Sequence, residues 1–245
     1  MQHDDFGAND GILLVDKPAG WTSFDVVAKI RGKIRSGYRE RGEKPTKRQQ
    51  KVGHAGTLDP FATGLLIVLL GDATKKADEF LKLDKVYEAT VRLGQISTTG
   101  DPEGEITEYS DKKPDVELVK KALDNFTGEI TQTPPKFSAI KIDGQRAYKL
   151  ARQGKEVDVP ARQVMIHSIE LLEYDYPNIK IRAHVGSGTY IRTLAEDIGT
   201  ALGTGAYCSE LRRTKIADMT IDAAQKIDKI TDWADLTSHI FYVNV

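Results

Sequence analysis

The stretch Gly53-His54-Ala55-Gly56-Thr57-Leu58-Asp59-Pro60-Phe61-Ala62-Thr63-Gly64-Leu65-Leu66-Ile67-Val68-Leu69-Leu70 places one carboxylate on a glycine-rich loop and then runs into unbroken apolar sequence. Leu65 to Leu70 reads as a strand buried on both faces, because a half-solvated strand would alternate apolar with polar residues. The two glycines and the Asp-Pro pair describe a backbone that turns tightly and carries an acid at its tip. Pro60 biases Asp59 towards an extended conformation. A carboxylate on a loop tethered to a rigid strand is suited to act as nucleophile or general base. Taken alone, Asp-Pro is usually a turn, and His54 is more often a hydrogen-bonded loop residue than a participant in chemistry.

Working outward, Gly11 to Val15 is a short apolar strand. Thr22 and Asp25 form the two ends of a capping box, and Val26, Val27, Ile30 and Ile34 follow at helical spacing. The basic, glycine-containing stretch up to Gln50 lacks apolar periodicity and reads as a loop over about residues 37–50. Tyr87, Ala89, Val91 and Leu93 alternate with Glu88, Thr90 and Arg92, the pattern of a half-buried strand. Val119, Ala122, Leu123 and Phe126 predict a helix terminated by Gly128. Lys141-Ile142-Asp143-Gly144 has the composition of a hairpin turn, and a short helix is expected from Ala147 to Gln153. Ile179, Ile181, Ala183 and Val185 alternate as a strand. Gly186-Ser187-Gly188 then leads into a helix whose apolar face is Ile191, Leu194, Ala195, Ile198 and Leu202. Strands and helices mix without regular βαβ alternation, which favours an α+β fold with a mixed, mostly antiparallel central sheet flanked by helices.

Composition narrows the function. The 245 residues suffice for a substantial core, and no apolar run approaches the roughly 20 residues that cross a bilayer. The first ten residues are polar and acidic, unlike a secretory or transit segment. The single cysteine, Cys208, excludes an internal disulfide and a cysteine-rich metal site. A cytoplasmic setting is the expectation. The net charge of −1 conceals a segregation. Arg31 to Lys51 carries nine Lys/Arg against Glu40 and Glu43, and Pro134 to Lys155 carries six against Asp143 alone. Outside these two stretches the net charge is −13. Locally concentrated positive charge is what a phosphate-binding surface needs, since affinity comes from local counterion release; each run by itself also fits a solvated loop.

The loop around Asp59 closely resembles the signature of the bacterial tRNA pseudouridine-55 synthase (TruB) family, and the resemblance continues in order along the chain. Asp16-Lys17-Pro18 with Gly20 and Thr22-Ser23 is similar to the family's opening motif. Lys85-Val86-Tyr87-Glu88-Ala89, Gly94 and Thr98 to Asp101 resemble its second. Gln132, Pro134-Pro135, Ser138-Ala139, Lys141, Gly144, Tyr148 and Ala151-Arg152 resemble the third. Gly188-Thr189-Tyr190-Ile191-Arg192, Leu194-Ala195 and Asp197-Ile198-Gly199 resemble the fourth, and Leu211-Arg212-Arg213-Thr214 closes the series. The match spans about residues 11–216.

The resemblance implies a pseudouridine synthase fold, with a catalytic domain over residues 1–219, a thumb-like insertion at about 134–155 and a short C-terminal extension over 220–245. It implies isomerisation of the T-loop uridine at position 55 of tRNA to pseudouridine. The N1–C1′ bond breaks, the uracil rotates, C5 joins C1′ and the C5 proton leaves. Asp59 falls on the family's catalytic aspartate, whether it attacks C1′ or C6 or takes a proton from C2′. Arg192 matches the arginine expected to pair with that aspartate. Its position in the first turn of a helix, where the dipole disfavours a cation, calls for a specific anionic partner. Tyr87 matches the tyrosine that stacks on the extruded uracil, although its alternation suits a core tyrosine equally. His54 matches a residue that fills the space of the flipped base. Lys17, Lys141 and Tyr190 would line the pocket, Leu211 would pack against the base, and Tyr148 and Arg152 would contact RNA from the thumb. An isomerisation requires no cofactor and no metal. The expected partner is tRNA, with no membrane and no protein partner, and the chain is expected to act as a monomer. A tRNA-folding chaperone with incidental catalysis, or a synthase acting on another RNA, would share these features.

The sequence departs from the family pattern in three places. About 30 residues follow Thr214, too few for the small C-terminal RNA-binding (PUA) domain of most bacterial members. Ala217 and Met219 stand where the family usually has glycine and an aromatic residue. The basic stretch Gly37 to Gln50 is longer than usual, which suggests that it supplies RNA affinity.

Overall fold

A computed structural model describes residues 10–135, 141–142, 145–146 and 159–241. The elements are, in order, β1 (Gly11–Lys17), α1 (Ser23–Glu40), β2 (Val52–Ala55), β3 (Thr63–Leu70), α2 (Ala77–Leu81), β4 (Lys85–Leu93), β5 (Gln95–Ser97), β6 (Ile106–Glu108), α3 (Val116–Asp124) and β7 (Gly128–Gln132). There follow β8 (Lys141–Ile142), β9 (Gln145–Arg146), β10 (Arg162–Asp175), β11 (Asn178–Val185), α4 (Ile191–Leu202), β12 (Ala206–Ile216), β13 (Met219–Thr220), β14 (Gln225–Lys226), α5 (Trp233–Ser238) and β15 (Ile240–Phe241). The fold is α+β, and the strand pairing is mixed: β1 and β14 pair in parallel, whereas β1–β3, β2–β3, β4–β11, β10–β11 and β7–β10 pair antiparallel. The chain divides into two compact units, one of residues up to Leu83 together with those from Arg213 onward, the other Asp84–Arg212.

In the first unit β3 is the keystone. It pairs antiparallel with β1 over Gly64 to Leu70 and with β2 over Ile67 to Leu70, and Leu65 to Leu70 are fully buried. One face packs Leu65, Ile67 and Leu69 with Ile12, Leu14, Ala55 and Ile216. Both faces are covered, which is why its sequence is continuously apolar. Helix α1 opens with the expected capping box: Asp25 N donates to the Thr22 hydroxyl, and Thr22 N to the Asp25 carboxylate. The helix runs to Glu40, further than the loop expected over residues 37–50 allowed. Gly37 and Tyr38 continue its buried face and pack on Trp233 of α5; a Cβ on Gly37 would lie 2.7 Å from that of Trp233. The segment beyond Thr220, expected as an extension, adds β14 and β15 to the free edge of β1.

In the second unit β4, β11, β10 and β7 pair antiparallel in that order. β4 shows the expected strict alternation, with Lys85, Tyr87, Ala89, Val91 and Leu93 buried. Helix α3 ends at Asp124, a full turn before Gly128. Gly128 instead opens β7, and Phe126 lies beyond the helix. Helix α4 stops at Gly203, which takes the left-handed conformation that closes a helix without steric cost. Strands β8 and β9 pair Lys141 with Arg146 and Ile142 with Gln145, the register of the two-residue hairpin expected there. Most of the expected thumb, including the Ala147–Gln153 helix, lies outside the described residues. No described helix is long and apolar enough to cross a membrane.

Candidate active site

The Asp59 loop is held from three directions within the first unit. At its start, Ser23 in the first turn of α1 grips Leu58 twice: its hydroxyl accepts from Leu58 N at 2.9 Å and donates to Leu58 O at 3.1 Å. At its far side, Pro60 O accepts from Gly20 N at 2.8 Å and from the Lys17 ammonium at 3.3 Å. Lys17 Nζ also donates to Pro18 O at 2.9 Å and to Trp21 O at 2.6 Å. From below, the buried Arg213 donates from Nε to Leu65 O and from Nη2 to Gly56 O. Gly64 sits at φ +105° with Arg213 backbone so near that a Cβ would lie 2.3 Å from its carbonyl oxygen. A turn from Asp59 O to Ala62 N completes the loop and leaves Asp59 half-buried.

Lys17 is wholly buried, and its ammonium ties the turn between β1 and α1, through the carbonyls of Pro18 and Trp21, to the loop carbonyl of Pro60. His54 lies in β2 opposite Val68, five residues before Asp59, and is half-buried. Ser23 and Arg213 belong to motifs visible in the sequence, but no spacing rule reveals that residues so distant converge on one loop.

The second unit holds the other expected residues. Tyr87 lies on the buried face of β4 opposite Ala183, and Leu211 is buried in β12. Tyr190 caps α4, its backbone held by the Gln132 amide, which accepts from Tyr190 N at 3.0 Å and donates to Tyr190 O at 3.2 Å. The Arg162 guanidinium lies over the Tyr190 ring. Lys141 is placed only by its backbone in β8, and Tyr148 and Arg152 lie outside the described residues.

Arg192 is buried in the first turn of α4, where the helix dipole disfavours a cation. An anionic partner compensates: Arg192 Nη1 donates to Asp101 Oδ2 at 3.0 Å and to Thr99 O at 3.0 Å, with both side chains of the ion pair buried. Asp101 is fixed in turn, its Oδ1 accepting from the Thr99 hydroxyl at 2.6 Å and from Glu103 N at 3.0 Å. One turn along α4, burial pushes the Glu196 carboxyl up to about 7, with Asp197 and Asp101 adding to the shift and Arg192 opposing it. Burial also raises Asp197. Asp101 and Glu196 are the residues of this cluster that sequence reasoning did not single out. Asp101 lies 91 positions from Arg192; its place at the end of the Thr98–Asp101 motif and the need of a helix-start arginine for an anion are the signals that could have singled it out.

Residues 44–191 match the TruB family pseudouridylate synthase N-terminal domain, and residues 192–240 match the tRNA pseudouridylate synthase B C-terminal domain. The chain belongs to the TruB family of pseudouridylate synthases. It is 47% identical over 232 residues to tRNA pseudouridine synthase B of Parabacteroides distasonis, covering 94% of this chain and 95% of that protein. To the protein of the same name from Cupriavidus metallidurans it is 45% identical over 227 residues, covering 92% of this chain and 68% of the relative. Among solved structures, a Cbf5–Nop10–Gar1 complex superposes with a TM-score of 0.70 at 28% identity, covering 96% of this chain. An H/ACA RNP bound to a substrate RNA containing 2′-deoxyuridine gives 0.65 at 26% identity over 94% of this chain. The chain spans 60% and 58% of those two structures' matched chains. Members of the TruB family are isomerases, and the pseudouridine synthase fold expected from the sequence is the one present.

Proposed function

We propose that this protein isomerises uridine 55 in the T loop of tRNA to pseudouridine, with Asp59 as the nucleophilic or basic carboxylate. The observation that carries the proposal is the Asp59 loop itself: a half-buried carboxylate on a backbone pinned by Ser23, Lys17 and Arg213. A rigid loop holds the reacting oxygen in one place, so little ordering remains to be done when the nucleotide arrives. The names of the most similar relatives supply the substrate class, tRNA.

In this reading Tyr87 stacks on the extruded uracil and Arg192 provides a cation whose direction is fixed by Asp101. His54 occupies the space vacated by the flipped base, while Tyr190, Leu211, Lys141, Tyr148 and Arg152 contribute to holding the nucleotide and its stem-loop. Lys17 contributes by fixing the loop. The steps are intramolecular for the nucleotide: the N1–C1′ bond breaks, C5 bonds to C1′, the proton displaced from C5 leaves to solvent, and N1 takes up a proton, so that product and substrate are isomers.

The experiment is to treat an unmodified tRNA transcript with the protein, form a pseudouridine-specific adduct and map it by reverse transcription. A single stop at position 55, absent from a transcript with cytidine there, is the expected result. A stop at another uridine would overturn the assigned target, and no stop at any uridine would overturn the activity.

A further inference from the structure

The solvent face of the second unit carries a side-chain cluster that this chemistry does not use. Asp84, just before β4, His184 on β11 and His167 on β10 each offer one ligand atom, all within 4.8 Å of one another. His167 Nε2 lies 3.1 Å from Asp84 Oδ2, and the two imidazole rings stand 4.6 Å apart between centroids. The sheet register creates this meeting. Val86 pairs with His184, so Asp84, two residues before Val86, falls on the same face. On the other side, Ile166 pairs with Val185 and Ser168 with His184, so a β-bulge sets His167 against His184 as well. β10, β11 and the residue leading into β4 thus each contribute one donor.

We propose that Asp84, His167 and His184 form a binding site for a divalent transition-metal ion of borderline softness, Zn²⁺ in the first instance. Two imidazoles and one carboxylate suit such an ion and not the all-oxygen preference of Mg²⁺ or Ca²⁺. Ligand atoms around a tetrahedral zinc stand about 2.0–2.2 Å from the metal, hence about 3.3 Å from one another. The Asp84–His167 separation already meets that spacing, and the remaining closure needs only side-chain rotation at half-exposed positions. Three protein ligands leave a coordination position for water. The ion would tie β4, β11 and β10 together, so its binding would stabilise the folded state.

The test uses untagged, chelator-treated protein titrated with Zn²⁺ by calorimetry and with Co²⁺ by visible absorption, beside His167→Ala, His184→Ala, Asp84→Asn and a His239→Ala control. Circular dichroism of the metal-free proteins confirms folding. One equivalent bound in the micromolar range is expected, with visible Co²⁺ bands, a raised Tm and no competition from excess Mg²⁺. Each ligand variant should bind about tenfold or more weakly, and His239→Ala should bind as the parent does. Absence of saturable binding, or binding unchanged in the three ligand variants, overturns the proposal. Because the readouts are metal binding and Tm, the result is independent of the tRNA activity.

Discussion

Arg192 and Asp101 form a buried ion pair, and such a pair is more costly to break than to replace, because the survivor keeps its charge without a partner. Asp101→Asn is therefore expected to lower stability by about 3 kcal/mol in chemical denaturation and to reduce kcat more than tRNA affinity. A kcat unchanged beside full tRNA binding would separate the pair from catalysis. Glu196 supplies a pH dependence. Its folded pKa, about 7, lies above the ordinary 4.5, so the folded state holds this proton more tightly than the unfolded chain. The fold then loses stability as pH rises from about 4.5 through about 7. Glu196→Gln should flatten that decline and exceed the parent in stability at pH 8 by about 1–2 kcal/mol, a figure discounted for partial solvent screening. Denaturation midpoints at pH 5 and pH 8 give the comparison. At this scale the sequence marks Arg192 and its need for an anion, and the family resemblance offers Asp59 for it; the buried ion pair with Asp101, 91 positions away, has no signal in local spacing.

Strands and helices were legible wherever one periodicity ran without interruption, as in the capped start of α1, the apolar run of β3 and the alternation of β4. Strand β10 was not, because bulges at His167 and Leu172 break the two-residue period twice. The end of α1 was hidden by the charges of residues 31–41, although Gly37 and Tyr38 continue the face set by Ile34. The hairpin between β12 and β13 turns on two residues, Ala217 and Asp218, and Ala217 has φ +45°, where an L residue is strained. Glycine at this position removes that strain. Ala217→Gly is thus expected to raise stability by about 1 kcal/mol despite glycine's greater unfolded-state entropy, read as a rise in Tm. Lys17→Met addresses the loop clamp: three carbonyls lose their ionic donor. It should cost about 2 kcal/mol of stability and slow catalysis about tenfold or more, with tRNA affinity little changed. A loss confined to affinity would return Lys17 to RNA contact.

For the whole molecule, the fold class and the family follow from ordered motifs spread along the chain, whereas the division into two compact units does not follow them. The first unit joins residues from both ends of the chain, because β14 and β15 complete the edge of β1. RNA affinity belongs to this scale as well. Arg39 at the end of α1 and Lys44 and Lys47 beyond it are exposed, whereas Arg48 is paired with Asp10 and Asp72 and Arg41 lies over Tyr38 and Trp233. Replacing Arg39, Lys44 and Lys47 together by glutamine should weaken tRNA binding and reduce the slope of log affinity against log salt by about 1–3. An unchanged slope would place the phosphate contacts elsewhere.

The proposed function rests on Asp59 as the carboxylate that isomerises a tRNA uridine. Its most direct test is release of tritium from a transcript labelled at uridine C5, measured for the parent and for Asp59→Asn with tRNA binding followed in parallel. Release by the parent alone and comparable tRNA binding by both are expected. Release by Asp59→Asn at the parental rate would contradict the assignment of Asp59, and binding without release by the parent would contradict the activity.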